Sequence, residues 1–368
     1  MTKLLHISAN TYPPLNEKNH HTKNIWKELA KGFDEYHILA RSETNKYSYS
    51  NEANIHLHLV PRITQKSKIF FFTSFWMFWI IKKYKITHLL SQCPIVGGFT
   101  ATIASKFFKI PFMVEIHGEE YFKFLEKDGL IAKLIKNTFN KANKIRSLND
   151  QMSMKLNKFG INKNVVVIPN RVNLAIFNKQ KINFTISTPV KLISVGRFVW
   201  EKDYLNLIIT LNESNIDFSL TLIGGGPQKN EYDKYLKENN ISSKVKLIDW
   251  IQQDEMIDLL ISSDIYIQSS VSEGMPRTIV EAMALQMPII STNVGSILGV
   301  LKNNKNSIVI NAKSKDEFID AIARVIKDDN LRENIAQQGY KDVLEKYEWN
   351  KVFEQYRNEI KSMKYENT

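Results

Sequence analysis

Short apolar runs alternate with amphipathic helical patterns through both halves of the chain. This alternation is typical of parallel β-sheets whose strands are joined by crossover helices, so we predict an α/β fold. The strands predicted in the first half are residues 4–8, 36–40, 56–60, 88–91, 112–116, 144–147 and 165–168. Those predicted in the second half are residues 191–195, 219–223, 244–248, 265–268, 289–291 and 307–310. The same doubly wound layout is thus built twice.

A polar stretch without helical periodicity lies between the two halves, over residues 181–189. We predict a linker there, with one domain over residues 1–180 and a second domain over residues 190–345. The remaining residues, 346–368, continue a helical region that has a predicted break close to Trp349. We expect this C-terminal helix to be able to pack back on the first domain.

Composition limits the class of protein. With 368 residues, of which 43% are hydrophobic, the chain can bury the cores of two domains. The single cysteine, Cys93, excludes an internal disulfide framework and a cysteine-clustered zinc site, and it fits a reducing cytoplasm. The apolar start at residues 4–7 gives way at once to polar residues and prolines. No signal peptide is therefore predicted, and we expect the protein to stay inside the cell.

Basic residues outnumber acidic ones by 50 to 38, which gives a net charge of +12. Such a balance favours an anionic partner, whether a nucleic acid, a nucleotide ligand or an anionic membrane surface. The lysines are dispersed and the sequence contains no recognised nucleic-acid module. We therefore expect no nucleic-acid partner.

One segment, residues 69–81, is almost entirely apolar and rich in phenylalanine and tryptophan, and lysines flank it within residues 66–85. At 1.5 Å per residue such a helix is roughly 20 Å long, whereas a bilayer core measures about 30 Å, so it does not span a membrane. Two interpretations stay open. The segment is either a buried helix of the first domain or an interfacial helix that contacts an anionic membrane surface.

Two glutamates, Glu273 and Glu281, lie eight residues apart across a loop that leads into a predicted helix, the first just before the helix and the second about two turns into it. Gly274 and Pro276 mark the start of that helix, because a turn followed by proline in the first helical turn is a common N-terminus. The unpaired N–H groups there carry a partial charge of about +0.5, which suits a phosphate. The two carboxylates would accept hydrogen bonds from hydroxyl groups on either side. A sugar nucleotide has that layout.

Basic residues and glycines follow two other predicted strands of the second half. Arg197 and Lys202 come after strand 191–195 and together are suited to neutralise a diphosphate. Gly225 and Gly226 follow the next strand, where glycines allow a ligand to approach the backbone. Taken alone, the basic pair is better explained as solvated side chains, and an ordinary turn explains the glycines nearly as well. Neither the dinucleotide fingerprint nor the P-loop is present.

The histidines indicate a ligand contact rather than a metal site. His117 follows strand 112–116, at the edge of the sheet where such folds bind ligands. His20 and His21 are adjacent, which is poor geometry for one ion, while His56 and His58 share a strand face without a third ligand nearby in the sequence. No Asp-x-Asp pair is present to hold a divalent ion on a diphosphate. We predict no metal and no cofactor.

Several motifs, taken in order, resemble a known family along nearly the whole chain: LLHISANTYPP, VEIHGEE, VVVIPNRVNLAIF, SVGRFVWEKDY, LIGGGP, VKLIDWI, SSDIYIQSSVSEGMPRTIVEAMA and MPIISTNVGSI. The chain is similar to the retaining family 4 glycosyltransferases of the GT-B fold. The resemblance implies two doubly wound Rossmann-like domains that face a central cleft. It also implies transfer of a sugar from a nucleoside-diphosphate sugar, which is a co-substrate rather than a cofactor.

The resemblance assigns roles to individual residues. Glu281 would bind the ribose hydroxyls of the nucleotide, and Glu273 would contact the transferred sugar. Arg197 and Lys202 would hold the diphosphate. His117 would lie at the reactive face of the sugar.

Further donor contacts follow from the same resemblance. The base would lie near Trp250 and Ile251, and backbone amides of residues 274–277 would help to hold the diphosphate. The other donor-binding positions that it implies are Gly225, Gly226, Gly274, Met275, Pro276, Arg277 and Thr278.

The resemblance further implies a retaining, metal-independent reaction without a protein nucleophile. We expect the acceptor to be a glycan or a lipid-linked glycan of a bacterial surface polysaccharide, modified at the cytoplasmic membrane face. The chain departs from the family pattern at residues 15–24, where a Gly-Gly pair is common, at Asn170-Arg171, where Asn-Gly is usual, and at Gln268, where proline is frequent. The first of these lies on the acceptor side, so the acceptor stays undetermined.

Two other classes of protein remain as alternatives. The first is a protein of the same fold that binds a nucleotide sugar without transferring it, because its acceptor loop is altered. The second is a nucleic-acid-binding protein, which the charge alone suggests. A phosphorylase or epimerase of the GT-B fold is disfavoured, because those enzymes usually show other motifs.

Overall fold

The computed structural model describes residues 1–15, 20–44, 46–61, 73–127 and 129–365. The chain forms two compact units. The first contains Met1–Ile168 and Phe353–Thr368, and the second contains Pro169–Val352.

The first unit is built on an eight-stranded sheet with the strand order β3-β4-β2-β1-β5-β6-β7-β8. Its strands are β1 (Lys3–Tyr12), β2 (Glu35–Ser42), β3 (Ser48–Glu52), β4 (Ile55–Val60), β5 (His88–Ser91), β6 (Phe112–Glu115), β7 (Lys144–Ser147) and β8 (Val165–Val167). Its helices are α1 (His20–Ala30), α2 (Thr73–Tyr84), α3 (Val96–Phe108), α4 (Glu120–Glu126), α5 (Leu130–Lys141) and α6 (Asp150–Lys158). Neighbouring strands are parallel except for β3, which pairs antiparallel with β4. The α/β class predicted from the sequence is therefore confirmed.

Strand β3 was absent from the prediction. Its sequence, SYSNE, is polar, and its side chains are alternately half-buried and exposed. It forms because the turn through Ala53, which has φ +50°, returns the chain antiparallel to β4. An edge strand of this kind lacks the apolar run that marks the buried strands.

The second unit contains a six-stranded parallel sheet with the order β11-β10-β9-β12-β13-β14. Its strands are β9 (Val190–Val195), β10 (Phe218–Ile223), β11 (Val245–Ile248), β12 (Ile265–Gln268), β13 (Ile289–Thr292) and β14 (Ile308–Ile310). Its helices are α7 (Tyr204–Asn212), α8 (Lys229–Glu238), α9 (Gln253–Ser262), α10 (Arg277–Ala284), α11 (Lys315–Lys327) and α12 (Asp329–Lys346). Leu192, Leu222 and Ile267 are among the strand residues buried in its core.

The predicted linker, residues 181–189, is not a linker, because it packs on the second unit. The backbone N–H of Lys181 donates to the carbonyl of Leu285 at 2.9 Å, and the Lys181 ammonium donates to the carbonyl of Ser263 at 2.8 Å. Farther along, the N–H of Ser187 donates to the Asp264 carboxylate at 3.1 Å. These hydrogen bonds hold the polar stretch in place. The division between the units consequently falls between Ile168 and Pro169, twelve residues before the predicted end of the first domain at residue 180.

The C-terminal region breaks where the sequence predicts, because α12 ends at Lys346 and the last helix, α13 (Trp349–Lys361), begins three residues later. From Phe353 onward this helix belongs to the first unit. Within that unit the Tyr356 hydroxyl donates to the Glu115 carboxylate. This buried contact holds α13 beside strand β6.

The aromatic segment predicted at residues 69–81 is described only from residue 73 onward; residues 69–72 lie outside the described part. In α2, Met77 and Ile80 are buried, whereas Phe75 is 73% exposed and Trp79 is 36% exposed. One face of the helix therefore packs in the core and another carries exposed aromatic rings. Among the described residues, no helix has the length and apolar content needed to cross a bilayer.

Candidate functional site

The carboxyl ends of two neighbouring strands place the basic loop beside the first glutamate. Strands β9 and β12 are adjacent and parallel, so the loops that follow them leave the same edge of the sheet. Lys202 comes from the first loop and Glu273 from the second, and the Lys202 Nζ lies 2.5 Å from Oε1 of Glu273. Both side chains are largely buried, with 15% and 14% of their surfaces exposed. Gly196 leaves room for this contact, because a Cβ there would lie 2.8 Å from Cε of Lys202.

The Glu273 carboxylate is held by two further donors that the sequence analysis did not identify as site residues. The side-chain amide of Gln268 donates to Oε1 of Glu273 at 2.9 Å, and the Ser270 hydroxyl donates to the same oxygen at 2.8 Å. Gln268 was noted only as a departure from the family pattern. That departure was the signal that the sequence offered.

Backbone contacts join the two loops independently of the ion pair. The N–H of Val271 donates to the carbonyl of Glu201 at 2.9 Å, and the Ser269 hydroxyl donates to the carbonyl of Lys202 at 2.8 Å. The positions of Lys202 and Glu273 are consequently set by the backbone as well as by their charges.

The second glutamate lies in helix α10. The helix begins at Arg277, and Pro276 is the residue directly before it. The sequence had predicted Pro276 within the first helical turn. Glu281 is half-buried and stands just over one turn into the helix. Burial raises the pKa of the Glu281 carboxyl, and the nearby Arg277 guanidinium partly offsets that effect. The arrangement places one carboxylate before the helix and the other within it.

The backbone near Met275 is anchored by a residue far away in the sequence. The Asn170 side-chain amide donates to the carbonyl of Met275 at 2.6 Å, and its backbone N–H lies 3.4 Å from the Met275 sulfur. Met275 is buried, whereas Gly274 and Thr278 are half-buried. Asn170 therefore supports the turn that precedes α10, a role that the sequence analysis did not assign.

The glycine turn after β10 approaches the loop after β9 closely. Gly224 has φ +141°, and a Cβ on it would lie 2.1 Å from the carbonyl oxygen of Gly196. A Cβ on Gly226 would lie 2.4 Å from the carbonyl oxygen of Phe198. Both positions exclude a side chain, and Gly224 is one that the sequence analysis did not assign. Gly225 faces the neighbouring loop instead, where a Cβ would lie 3.4 Å from Nε1 of Trp250.

The other predicted donor residues differ in exposure. Trp250 is 69% exposed and Ile251 is half-buried. Arg197 is exposed, and its guanidinium forms no salt bridge with any residue that the structure describes. Arg197 and Trp250 are thus accessible to a ligand, while Lys202 is engaged by Glu273.

His117 belongs to the first unit, and the partners described here lie within that unit. Its Nε2 lies 3.1 Å from Oε2 of Glu115, and its side chain is 41% exposed. Glu115 is buried and also accepts hydrogen bonds from Arg146 and Tyr356. Burial opposes ionisation of this carboxyl, but the His117 ring and the Arg146 guanidinium outweigh it and hold the pKa of Glu115 well below its usual range. The carboxylate orients the ring and leaves its other nitrogen available.

Among the residues that the structure describes, one cluster with metal-ligand atoms near each other lies on strands β2 and β4 of the first unit. Ligand atoms of Glu35, His37 and His56 lie within 4.8 Å of one another, so Glu35 is a third group that sequence spacing did not reveal. The rings of His37 and His56 are stacked, with centroids 4.4 Å apart and planes 11° apart. Their nitrogen lone pairs therefore lie in nearly parallel planes and do not converge on one ion. The Lys3 ammonium also lies 2.6 Å from the Glu35 carboxylate.

Two models of known protein families match this chain. Residues 176–342 match the model of the family Glycosyl transferases group 1, and residues 19–176 match that of Glycosyltransferase Family 4. Together the matches extend over most of the chain. It belongs to glycosyltransferase family 4. The membership inferred from the motifs is confirmed.

Two relatives and one solved structure illustrate the similarity of this glycosyltransferase to others. An uncharacterized glycosyltransferase of Methanocaldococcus jannaschii is 24% identical over 92% of this chain and 93% of that protein. A lipopolysaccharide core biosynthesis glycosyltransferase of Rhizobium meliloti is 24% identical over 49% of this chain and 52% of that protein. The crystal structure of HepE from Anabaena, in complex with UDP and glucose, superposes with a TM-score of 0.76 at 13% identity, over 99% of this chain and 100% of that one. The GT-B fold is confirmed.

Proposed function

We propose that this glycosyltransferase moves a sugar, with retention of configuration and without a metal ion, from a nucleoside-diphosphate sugar to a glycan or lipid-linked acceptor. The observation that carries the proposal is the Lys202–Glu273 pair, which stands at the carboxyl edge of the sheet directly before the helix that bears Glu281. The acceptor class is supported by the Rhizobium relative, which is named for lipopolysaccharide core biosynthesis. By that analogy the product is a bacterial surface polysaccharide.

The donor residues take complementary roles in this proposal. Arg197 and Lys202 neutralise the diphosphate together with the backbone N–H groups at the start of α10. Glu281 accepts from the ribose hydroxyls, and Glu273 accepts from a hydroxyl of the transferred sugar. Trp250 flanks the base. These preorganised charges stabilise the departing nucleoside diphosphate, which is commonly the largest contribution to catalysis.

The proposed step needs no protein nucleophile. The bond between the anomeric carbon and the phosphate oxygen breaks, and the bond to the acceptor oxygen forms on the same face of an oxocarbenium-like sugar. The acceptor proton passes to the departing phosphate oxygen, so charge and atoms balance. We assign His117 to a contact with the transferred sugar, on the basis of its family motif and of the nitrogen that Glu115 leaves available.

Thermal denaturation with nucleotides tests the proposed nucleotide-sugar donor and the proposed independence of metal ions together. We expect one of UDP, GDP, ADP or CMP to raise the melting temperature, because a ligand at 100 times its Kd adds about 2.7 kcal/mol of stability. UDP is expected to be the most effective, since HepE binds it. The shift should persist in excess EDTA. The shift in melting temperature should be smaller in Glu281→Gln. It should be unchanged in Glu255→Gln, because Glu255 is an exposed residue of α9.

The outcomes separate the alternatives. If no nucleotide stabilises the wild type, the proposed donor site is wrong. If the shift requires a divalent ion, the proposed metal independence is wrong. Once the nucleotide is known, NMR of the product formed from the matching sugar donor should show the anomeric configuration of the donor. Inversion would contradict the retaining mechanism, and binding without any turnover would favour the non-catalytic alternative.

We further propose that the enzyme works at the cytoplasmic face of a membrane, which its first unit contacts through α2 and α3. Phe75 on α2 and Phe107 on α3 are 73% and 71% exposed. Phe78 of α2 packs on Phe107 with ring centroids 5.4 Å apart, so the two helices present one surface. Exposed lysines lie on the same helices, at Lys82, Lys83 and Lys106. Aromatic rings beside lysines suit the headgroup region of anionic lipids.

Liposome flotation tests this surface. The double variant Phe75→Ser, Phe107→Ser should lower recovery with anionic vesicles about tenfold or more, since each phenyl group contributes on the order of 1.5 kcal/mol on burial. Met154→Ser is the control, because Met154 is 58% exposed on another helix, α6. If the wild type is recovered equally with neutral and anionic vesicles, or is recovered with neither, the proposed membrane contact is wrong.

A further inference from the structure

We propose that Gln268 is a positioning residue for the transfer reaction: it holds Oε1 of Glu273 and thereby directs Oε2 toward the sugar of the bound donor. This inference rests on the proposed function and extends it to a buried residue at the end of strand β12.

The side-chain amide of Gln268 has its orientation set from both sides. Gln268 ends strand β12 and is 1% exposed. Its Oε1 accepts from the Tyr266 hydroxyl at 3.1 Å, while its Nε2 donates to Ser270 Oγ at 2.6 Å and to Glu273 Oε1 at 2.9 Å. Burial raises the pKa of the Tyr266 phenol well above its usual value, so that hydroxyl keeps the proton that it donates to Oε1 of Gln268. The amide nitrogen must therefore face the carboxylate.

The three donors around Glu273 all reach one of its two oxygens. Lys202, Ser270 and Gln268 donate to Oε1 at 2.5, 2.8 and 2.9 Å. No hydrogen bond to Oε2 comes from any residue that the structure describes. Because Oε1 is saturated, Oε2 is the oxygen that can accept from a ligand hydroxyl.

Gln268 and Lys202 contribute differently once a donor is bound. The Lys202 ammonium ends a flexible stem and is attracted to a diphosphate as well as to Glu273. The Gln268 amide is buried and has no access to the ligand, so it stays on Oε1 when the ammonium turns away. Lys202 can consequently bind the diphosphate while Gln268 keeps the Glu273 carboxylate in place. Gln268 acts on the sugar through Glu273 and not by its own contact.

The test compares ligands with and without the sugar. Calorimetry would measure binding of UDP, GDP and ADP, and of UDP-glucose, GDP-mannose and ADP-glucose, to the wild type and to Gln268→Met. Methionine keeps the length of the side chain but cannot donate. We expect affinity for the nucleoside diphosphate to change less than twofold and affinity for its sugar ester to fall 10- to 100-fold, since hydrogen bonds to charged groups are worth about 1.5–3 kcal/mol.

Two further variants protect the test against misfolding. Ser270→Ala removes another donor to Oε1 and should show the same selective loss to a smaller degree, while Gln268→Glu should show a larger one because it places a second carboxylate against Glu273. Equal weakening of both ligands would indicate a merely structural role and would overturn the proposal, as would unchanged binding of both. A wild type that binds neither ligand would instead refute the proposed function.

Discussion

Replacing Lys202 by methionine is expected to lower kcat/KM for sugar transfer by a factor of about 10²–10³. The ammonium is the basic group closest to Glu273, at 2.5 Å, and in the proposed mechanism it offsets the charge that develops on the departing diphosphate. Removing one preorganised donor of this kind typically costs two to three orders of magnitude. The measurement is steady-state transfer with the donor identified by thermal shift.

Two control variants make the Lys202 result specific. Lys234→Met removes an exposed lysine of α8 and should leave kcat/KM unchanged. Lys202→Arg should restore activity only in part, because the stem of Lys202 passes so close to Gly196 that a bulkier head group has little room. Full activity of Lys202→Met would contradict the assignment of this lysine to the diphosphate.

The free energy of unfolding is expected to fall steeply as the pH drops from about 6.5 to 4, because several histidines, His37 and His58 among them and His6 on another strand, are buried in their neutral form. Burial lowers the pKa of His37 to about 4 and that of His58 to about 3, although Glu35 acts in the opposite direction on His37. The unfolded chain binds protons on these rings near pH 6.5, whereas the folded chain does not. Stability is therefore fully present above that pH and is lost below it, by roughly 3 kcal/mol for each ring at pH 4.

The rings of His37 and His58 are both fully buried among other side chains, and this burial is what disfavours protonation. His37 Nδ1 lies 3.0 Å from His58 Nε2, and the Tyr47 hydroxyl lies 3.0 Å from His58 Nδ1. His56 stacks on His37, and Tyr84 also packs against it. A second proton on either ring would place a charge among neighbouring imidazoles and away from bulk solvent.

Urea unfolding at pH 7, 5.5 and 4.5 measures the acid effect. The variant His37→Gln, His58→Gln should lose the part of the pH dependence that these two rings contribute and keep the part due to His6, even if it is less stable at pH 7. Tyr47→Phe is the matched control: it removes the hydrogen bond to His58 but keeps both histidines, so its slope should match that of the wild type. An equally steep slope in the double glutamine variant would show that other groups cause the acid sensitivity.

The fold class and most of the strands follow from the amino-acid sequence alone. The alternation of apolar runs and helical patterns is a local property, and strands β5, β7 and β12 begin and end at the predicted residues. The spacing of Glu273 and Glu281 likewise survives folding, because seven intervening residues fix which elements can carry them. Structural features that depend on short stretches of the chain can be predicted without knowledge of the rest of the molecule.

Which distant groups meet is known from the three-dimensional structure and could not be predicted. Lys202 and Glu273 are 71 residues apart, and they touch because β9 and β12 are neighbours in the sheet, which periodicity does not specify. The same holds for Asn170 at Met275 and for Gln268, which reads in the sequence as a polar residue closing a buried strand. The polar stretch at 181–189 resembled a linker for the corresponding reason: its partners are supplied by other elements of the second unit. Hydrogen bonds and ion pairs between distant residues depend on strand order, and strand order is a property of the assembled sheet.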